Sequence, residues 1–348
     1  QILIIWSALM RRLVTLMALV LCGWSSLVAA ADKSLEIGYM PIIPVSQAFI
    51  VLENNTLENA GISDPKLFKF QNGPAIVQAL LAGQLDVAYL GIGPAMVARA
   101  KGADIKVVAS NIVEQISMVA LGGLSPYFDN GDAKTAFARF KADKGRKAVI
   151  STFPRGSVPE TVLQYWLQTQ LGMSQDEIKQ NIDIIYQGAA QVQQSLTTEA
   201  VDGAAILEPV VSIVTDRKSD AKVVASGSGM FPHQPGAVLA VRESLINEHP
   251  EWVKALVKAH IAATDELRND PEKAVKSVGK YVGGGRLPAK IVLNALKNSR
   301  DQFQADPNAI IDGTRTMRDF QASQGTLKAS VDLNALFDVR FYNELIKE

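Results

Sequence analysis

The sequence has few of the residues that thiol, metal or phosphate chemistry requires. It contains a single cysteine, Cys22, and three histidines, His233, His249 and His260, whose spacing does not fit a metal site. The glycine run 283–285 lacks the Gly-Lys-Ser/Thr of a phosphate-binding loop, and no nucleophile elbow or pair of catalytic carboxylates is recognisable. We therefore expect no catalytic residue, no bound metal and no cofactor.

The chain also lacks an excess of charge of either sign. It carries 35 basic and 35 acidic residues, and residues 1–31 contain two arginines and no acidic residue. The remainder has 33 basic and 35 acidic residues, a formal charge of −2. Such a balance argues against a nucleic-acid partner, because binding to the phosphate backbone needs an excess of lysine and arginine.

The N-terminal segment is typical of a secretory signal peptide. After Met10, the expected natural start, the arginine pair 11–12 forms a positive region and residues 13–20 an apolar region. Residues 28–31 then supply the small side chains that precede cleavage. We expect cleavage near Ala31 and export of the mature chain.

A membrane anchor over residues 2–30 is the alternative, but it would bury the arginine pair at considerable cost. A lipid on Cys22 is disfavoured, because Leu21 is too large for the small residue that usually precedes a lipidated cysteine. Cleavage would also remove the single cysteine, so that neither a disulfide nor thiol catalysis is expected.

Hydrophobic patterning predicts an α/β fold. Strand-like runs alternate with helical stretches as far as Arg242, and helical patterns alone follow it, which indicates two open mixed sheets with flanking helices and a helical C-terminal tail. Ser157 with Glu160, and Ser174 with Glu177, fit the capping box at a helix start. The predicted strands are 35–40, 67–71, 87–91, 106–112, 118–122, 148–152, 182–187, 204–207, 223–225 and 237–242. The predicted helices are 45–60, 74–83, 94–101, 157–171, 190–200, 209–216, 250–269, 271–281, 288–304, 306–323 and 332–347.

An internal repeat predicts two similar lobes. Residues 78–94 are matched by residues 194–209, and the offset is a constant 116 over the core of the match. Each copy reads as a helix end, a turn, an aspartate (Asp86 or Asp202), a short apolar strand and a Gly/Pro loop. A repeat of this size is a whole α/β unit. We expect lobe one at 32–121 and 231–348 and lobe two at 122–230, with 118–122 and 237–242 as the crossing strands.

The order of several motifs resembles the solute-binding proteins of ABC importers for nitrate, sulfonate, taurine and similar compounds. The resemblance rests on residues 35–39, 72–74, 79–88, 106–109, 156–157, 165–167 and 208–209. It implies a type II periplasmic-binding-protein fold that binds a small-molecule solute between two lobes by hinge closure. It also implies an ABC permease and its ATPase as partners, and we expect a monomer. The superfamily includes thiamine-precursor receptors and a pyrimidine-forming enzyme that uses a cysteine-rich segment and a histidine.

Several loops at strand ends carry the candidate ligand-binding residues. A helix N-terminus offers free N–H donors and the positive end of a dipole, which favours a negatively charged ligand. Turn chemistry, helix capping by Ser157 and a solvent-facing Arg155 are the competing interpretations. The candidates at these loops are Asn72, Gly73, Pro74, Gly93, Pro94, Arg155, Gly156, Ser157, Gln187 and Gly188.

Three further residues are candidates with a different chemistry. Glu208 would meet a ligand amine or serve a structural or hinge role, and Tyr39 and Phe231 would form apolar walls or belong to the core. Together the candidates favour a small anion or zwitterion, such as a sulfonate, a taurine-like compound, nitrate or a carboxylate. A neutral heterocycle such as a thiamine precursor is the alternative ligand, and a sensing role instead of import stays open.

Overall fold

The computed structural model describes residues 34–348, so the predicted signal peptide or anchor lies outside the described residues. Residues 35–348 form one compact unit. No helix within the described part of the chain is long and apolar enough to cross a membrane.

Ten strands form two five-stranded sheets of the same design. The first sheet has the order β2-β1-β3-β10-β4 and the second the order β7-β6-β8-β5-β9. In each sheet the fourth strand, β10 or β5, runs antiparallel to both neighbours, while the first three strands are parallel. The strands are β1 (Glu36–Tyr39), β2 (Lys66–Lys69), β3 (Val87–Gly91), β4 (Ile105–Ser110), β5 (Ser117–Ala120), β6 (Ala148–Thr152), β7 (Ile182–Tyr186), β8 (Gly203–Ile206), β9 (Lys222–Ser226) and β10 (Ala237–Arg242).

Sixteen α-helices surround these sheets within residues 34–348. They are α1 (Ser46–Glu53), α2 (Thr56–Asn59), α3 (Gly73–Leu81), α4 (Ile92–Ala100), α5 (Ala133–Lys144), α6 (Val158–Tyr165), α7 (Gln175–Asn181), α8 (Ala189–Thr197), α9 (Val210–Arg217), α10 (Glu243–Glu248), α11 (Pro250–Asn269), α12 (Pro271–Gly279), α13 (Ala289–Ser299), α14 (Ile311–Ser323), α15 (Leu333–Leu336) and α16 (Arg340–Leu345). A π-helical turn, Trp166–Gln170, continues α6.

The sequence repeat corresponds to equivalent places in the two sheets. The first copy forms the unit α3-β3-α4 and the second copy the unit α8-β8-α9. β3 and β8 each occupy the third position of their sheet. The aspartate before each repeated strand accepts a bond from a neighbouring segment: Asp86 Oδ2 from the N–H of Glu36 at 3.0 Å, and Asp202 Oδ2 from the N–H of Val149 at 2.8 Å. Each aspartate therefore ties its strand to the start of the parallel neighbour.

The structure corrects the predicted crossing at 118–122. β5 pairs with β8 and β9 and so belongs to the second sheet. The other predicted crossing strand, 237–242, is β10, which pairs with β3 and β4 and so belongs wholly to the first sheet. The chain crosses earlier, at 111–116, and returns at 227–236, and these segments run side by side: the N–H of Glu114 donates to the carbonyl of Gln234 at 2.8 Å. We place both boundaries of lobe two within these segments. A fully buried strand carries no sequence mark of the sheet to which it belongs.

One of the two predicted capping boxes is present. Ser174 Oγ accepts from the N–H of Glu177, whose carboxylate accepts from the N–H of Ser174. At α6 the prediction is wrong, because Ser157 Oγ donates to the carbonyl of Pro154 at 2.6 Å instead of capping the helix. Helix α5 is an addition, since the sequence pattern predicts no element between 123 and 147.

The helical tail packs on the first sheet and also reaches the second lobe. Asn298, at the end of α13, donates to Glu208 at 3.1 Å. Gln321, in α14, donates through Nε2 to the carbonyl of Gly156 at 3.1 Å and to Thr161 Oγ1 at 3.3 Å. The tail, which is predicted to be part of lobe one, therefore contacts both lobes.

Candidate functional site

The two lobes meet where the parallel strands end. In an open α/β sheet, the loops beyond the carboxyl ends of the strands form the ligand-binding edge. Here the lobes are in direct contact at this edge: the N–H of Ile43 donates to the carbonyl of Glu208 at 3.1 Å, and the N–H of Ala189 to the carbonyl of Gln71 at 3.2 Å. The sequence-predicted loops are thus brought together in one cleft.

Glycines permit the closest approach of the lobes. A Cβ built at Gly93 would lie 2.8 Å from the carbonyl oxygen of Gly156, and one at Gly91 would lie 2.8 Å from Val158 Cγ2. Gly156 itself has a φ of +87°, which side-chain-bearing residues rarely adopt. Gly93 and Gly156, both predicted site residues, therefore face each other across the cleft.

The segment before α3 forms an ordinary helix start that faces α4. Asn72 Oδ1 accepts from the N–H of Ala75 at 2.9 Å and so caps α3. A Cβ at Gly73 would overlap Pro94, and Pro74 follows within the first turn of α3. The N-termini of α3 and α4 therefore lie against each other, through Gly73 and Pro94. The side-chain oxygen of Asn72 is engaged in capping α3.

Arg155 and Ser157 lie in different surroundings although they are close in sequence. Arg155 is exposed, and its guanidinium donates to the carbonyl of Gln324 at 3.1 Å. Ser157 is 2 % exposed. Behind them, Glu160 accepts from the N–H of Gly156 at 3.1 Å, and burial raises the pKa of its carboxyl, against smaller opposing effects of Gly156 and Arg155.

The loop after β7 contains Gln187 and Gly188. The side-chain amide of Gln187 forms its hydrogen bonds within lobe two. Gln187 Oε1 accepts from Ser151 Oγ at 2.7 Å and from Ser195 Oγ at 2.9 Å. Gly188 is buried, and a Cβ built there would lie 3.3 Å from Gln71 Cβ of lobe one. Gln187 therefore holds the loop in place, while Gly188 lies at the junction of the lobes.

Glu208 is satisfied by its own chain. Its carboxylate accepts from the N–H of Ser212 at 2.9 Å, from Ser212 Oγ at 2.8 Å and from Asn298 Nδ2 at 3.1 Å. Burial raises the pKa of the Glu208 carboxyl, and the donors Asn298 and Ser212 lower it by less. A ligand amine would have to compete with these donors, so the arrangement fits the structural role better than the ligand-binding role.

The two predicted aromatic walls belong to packed aromatic groups. The Tyr39 ring lies edge-on to Phe49 at 5.7 Å and to Tyr281 at 5.9 Å, measured between ring centroids. Phe231 is fully buried and stacks on Tyr165 at 3.8 Å. Burial also raises the pKa of the Tyr39 hydroxyl. Core packing accounts for most of the surface of both residues.

Sequence reasoning missed the contributions of the tail. Gln321 and Asn298 lie more than 80 residues from the loops that they contact, and neither belongs to a recognisable motif. Within residues 34–348, no group of three or more His, Cys, Asp or Glu residues could hold a metal ion.

Comparison with known proteins identifies the class of fold and then the family. A solved alkanesulfonate-binding protein from Xanthomonas axonopodis pv. citri, bound to MOPS, matches 88 % of this chain and 98 % of its own with a TM-score of 0.71 at 19 % identity. The predicted two-lobed α/β fold of periplasmic binding proteins is thereby confirmed. The model of the NMT1-like family matches residues 29–279, and the chain belongs to this family, as the motif order predicts.

Two relatives found by sequence similarity are also named as binding proteins. A putative binding protein of Brucella abortus strain 2308 is 27 % identical over 328 residues, which cover 92 % of this chain and 95 % of the relative. A putative aliphatic sulfonates-binding protein of Bacillus subtilis strain 168 is 26 % identical over 348 residues and covers 97 % of both chains. These relatives are named as binding proteins and not as enzymes.

Proposed function

We propose that the protein is the solute receptor of an ABC importer and captures a small anion or zwitterion between its two lobes. The observation that carries this proposal is the glycine-lined contact between lobes at the strand ends, where Gly93 faces Gly156 and Gly188 faces Gln71. Opening of the lobes would expose these backbones to a ligand, and a ligand that contacts both lobes would favour the closed state.

The helix starts support a negatively charged ligand. Helices α3, α4, α6 and α8 each begin at the edge where the lobes meet, and each leaves backbone N–H groups without an intrahelical acceptor. The Bacillus subtilis relative, named for aliphatic sulfonates, agrees with this chemistry. Glu208 and Glu160 oppose an anion only weakly, because burial disfavours the charged form of each carboxyl.

Family membership supports the remaining parts of the proposal. We infer that the receptor works in the periplasm after export, as a monomer, and hands its solute to a membrane permease driven by an ATPase. We also infer that it is not an enzyme, because a chain cleaved near Ala31 would contain no cysteine with which to perform the chemistry of the pyrimidine-forming relative.

A thermal-shift screen tests the ligand class. Purified protein is heated with sulfonates, taurine, nitrate, carboxylates, amino acids and pyrimidines in turn. A ligand at 100 times its dissociation constant stabilises by about 2.7 kcal/mol, and we expect this shift from a sulfonate or another small anion. If uncharged heterocycles alone raised the melting temperature, the thiamine-precursor alternative would replace the anion.

The same samples test the absence of catalysis. A stabilising ligand is incubated with the protein and recovered, and its mass is measured. We expect the ligand to be recovered chemically unchanged. Disappearance of the species with the original molecular mass, at a rate that scales with protein concentration, would show an enzyme.

A further inference from the structure

A third segment of the chain lies beside the two crossing segments. Residues 302–304 of the tail form an antiparallel bridge with the first crossing segment, 111–116, which forms another with the return segment, 227–236. The N–H of Val113 donates to the carbonyl of Gln302 at 2.9 Å. The hinge is therefore a ribbon of three strands, and the first crossing segment lies between the tail and the return segment.

Helix α14 begins against this ribbon. A Cβ built at Gly313, in the first turn of α14, would overlap the carbonyl oxygen of His233 in the return segment. A glycine is therefore needed for the helix to approach the hinge this closely. Because rotation about a hinge displaces nearby atoms least, the start of α14 can stay in place while the lobes move.

The other end of α14 is bonded to lobe two. Besides the bonds of Gln321 described above, Gln324 and Gln168 exchange hydrogen bonds through their side-chain amides, at 2.9 and 3.1 Å. Gln168 lies in the π-helical turn that continues α6. The ring of Phe320 lies edge-on to that of Tyr165 in α6, with 5.1 Å between the ring centroids. Polar and aromatic contacts therefore join the C-terminal end of α14 to α6.

The contact of α14 with lobe one is of a different kind. The helix packs on α4, where Gln321 lies close to Gly93. Among the described residues, the side-chain hydrogen bonds and ion pairs of α14 go to the helix itself, to neighbouring residues of the tail and to lobe two. Packed helices can slide past each other by small shear movements. The contact with α4 can therefore change while the bonds to α6 are kept.

We propose that α14 is a strap that moves with lobe two, although the segments on either side of it belong to lobe one. The chain leaves lobe one after residues 302–304 and returns to it where Phe337 pairs with Val107 in β4. Gly325, with a φ of +72°, directly follows the residues bonded to lobe two and turns the returning chain. The tail thus adds two connections to the two crossing segments and limits how far the cleft opens. This inference rests on the proposed hinge closure.

Distances between spin labels in the parent protein and in Gly188→Phe test the strap. The new ring at Gly188 would project towards Gln71 and should part the lobes. Cys22, the single cysteine, lies in the predicted signal peptide, so that exported protein carries labels at introduced cysteines alone. Three exposed alanines on helices provide the labelling sites: Ala142 in α5 of lobe two, Ala262 in α11 of lobe one and Ala322 in α14.

The strap predicts which of the three distances respond. In Gly188→Phe, the distances from Ala262 to Ala142 and from Ala262 to Ala322 should change, whereas the distance from Ala322 to Ala142 should stay as in the parent protein. Gly123→Phe is the control and should leave all three distances unaltered. A changed distance from Ala322 to Ala142 would show that α14 does not move with lobe two and would overturn the proposal.

Hydrogen exchange gives a second measurement, which needs no opening of the cleft. Leu196 in α8 of lobe two and Leu256 in α11 of lobe one are both buried in the core, so that a change of either to alanine destabilises its own lobe. Leu196→Ala should speed exchange of the α14 amides by about thirtyfold or more, and Leu256→Ala should speed it less. An equal or larger effect of Leu256→Ala would assign α14 to lobe one and refute the strap.

The two measurements separate the strap from the proposed function. If the distance from Ala262 to Ala142 were the same in Gly188→Phe and in the parent protein, the result would count against hinge closure, and hydrogen exchange would still decide to which lobe α14 belongs. Neither measurement requires a solute, so the outcome of the thermal-shift screen does not affect them.

Discussion

At the scale of single residues, the most informative side chain is His260, which holds the start of the first crossing segment. Its Nε2 lies 2.6 Å from the carbonyl oxygen of Ser110, and because a carbonyl only accepts, Nε2 carries the proton. Nδ1 is buried, and no group within residues 34–348 forms a hydrogen bond with it. Desolvation lowers the pKa of His260 to about 4, against a smaller opposite effect of the bond to Ser110.

This arrangement predicts a loss of stability in mild acid. The unfolded chain binds a proton at His260 near the ordinary pKa of about 6.5, whereas the folded chain does not until about pH 4. The stabilisation is complete above pH 6.5 and is lost as the pH falls from 6.5 towards 4, by about 2–3 kcal/mol. Urea unfolding at pH 7.0 and 4.5 measures this loss, and His260→Gln should remove most of it.

His249→Gln is the control for this prediction. His249 is partly exposed and stacks on Trp252 at the surface. Its replacement should leave the acid-induced loss of stability as it is in the parent chain. An equal dependence on pH in His260→Gln and in the parent would show that the buried imidazole is not responsible.

At the scale of helices and strands, the capping box at the start of α7 can be tested by substitution. Ser174→Ala removes an acceptor from the first turn of α7 and should lower the free energy of unfolding by about 1 kcal/mol. Chemical denaturation measures the change. The double change Ser174→Ala/Glu177→Ala should cost less than the sum of the two single changes, because the two residues form one reciprocal cap. Additive costs would contradict the box.

The strands were the part of the fold that the sequence determined best. The predicted bounds of β3, β6 and β10 agree with the structure, because buried runs of apolar and β-branched residues between turn residues allow few alternatives. Helix α5 was not predicted because its two large apolar residues, Phe137 and Phe140, lie among alanines and charged residues. Its burial depends on neighbours that the local sequence does not specify.

The site was predictable as a set of loops but not as a set of contacts. The repeat and the glycines indicate which loops meet, because glycine at a strand end permits close approach of another backbone. The pairing of Gly188 with Gln71, or of Gln321 with Gly156, joins residues more than 100 positions apart. One sequence holds no record of such pairs. For the same reason, neither the bonds that hold Gln187 inside lobe two nor the bond from Asn298 of the tail to Glu208 was predicted.

At the scale of the whole molecule, the proposed function depends on closure of one lobe on the other. The contacts between lobes at the strand ends include those of Ile43 with Glu208, Gln71 with Ala189, and Gly93 with Gly156. The tail adds bonds to two of these places, from Gln321 to the carbonyl of Gly156 and from Asn298 to the carboxylate of Glu208. Because the tail contacts both lobes, its contacts with one lobe or the other must change when the cleft opens, and they contribute to the balance between open and closed states.

Gly188 offers a test of closure by a single substitution. Its φ of −75° suits any residue, so Gly188→Phe should not strain the backbone. The new ring would project towards Gln71 and hold the lobes apart. Apparent affinity falls in proportion to the closed fraction, so a tenfold loss of closed molecules raises the dissociation constant of the screened solute about tenfold. Small-angle scattering with solute should then show a larger radius of gyration than for the parent protein. Gly123→Phe is the control, because a Cβ built at Gly123 has no heavy atom within 4 Å among the described residues other than Gly123 itself and its chain neighbours. This variant should change neither the dissociation constant nor the radius of gyration. Unaltered affinity and an unaltered radius in Gly188→Phe would mean that solute binding does not require the lobes to meet at this point.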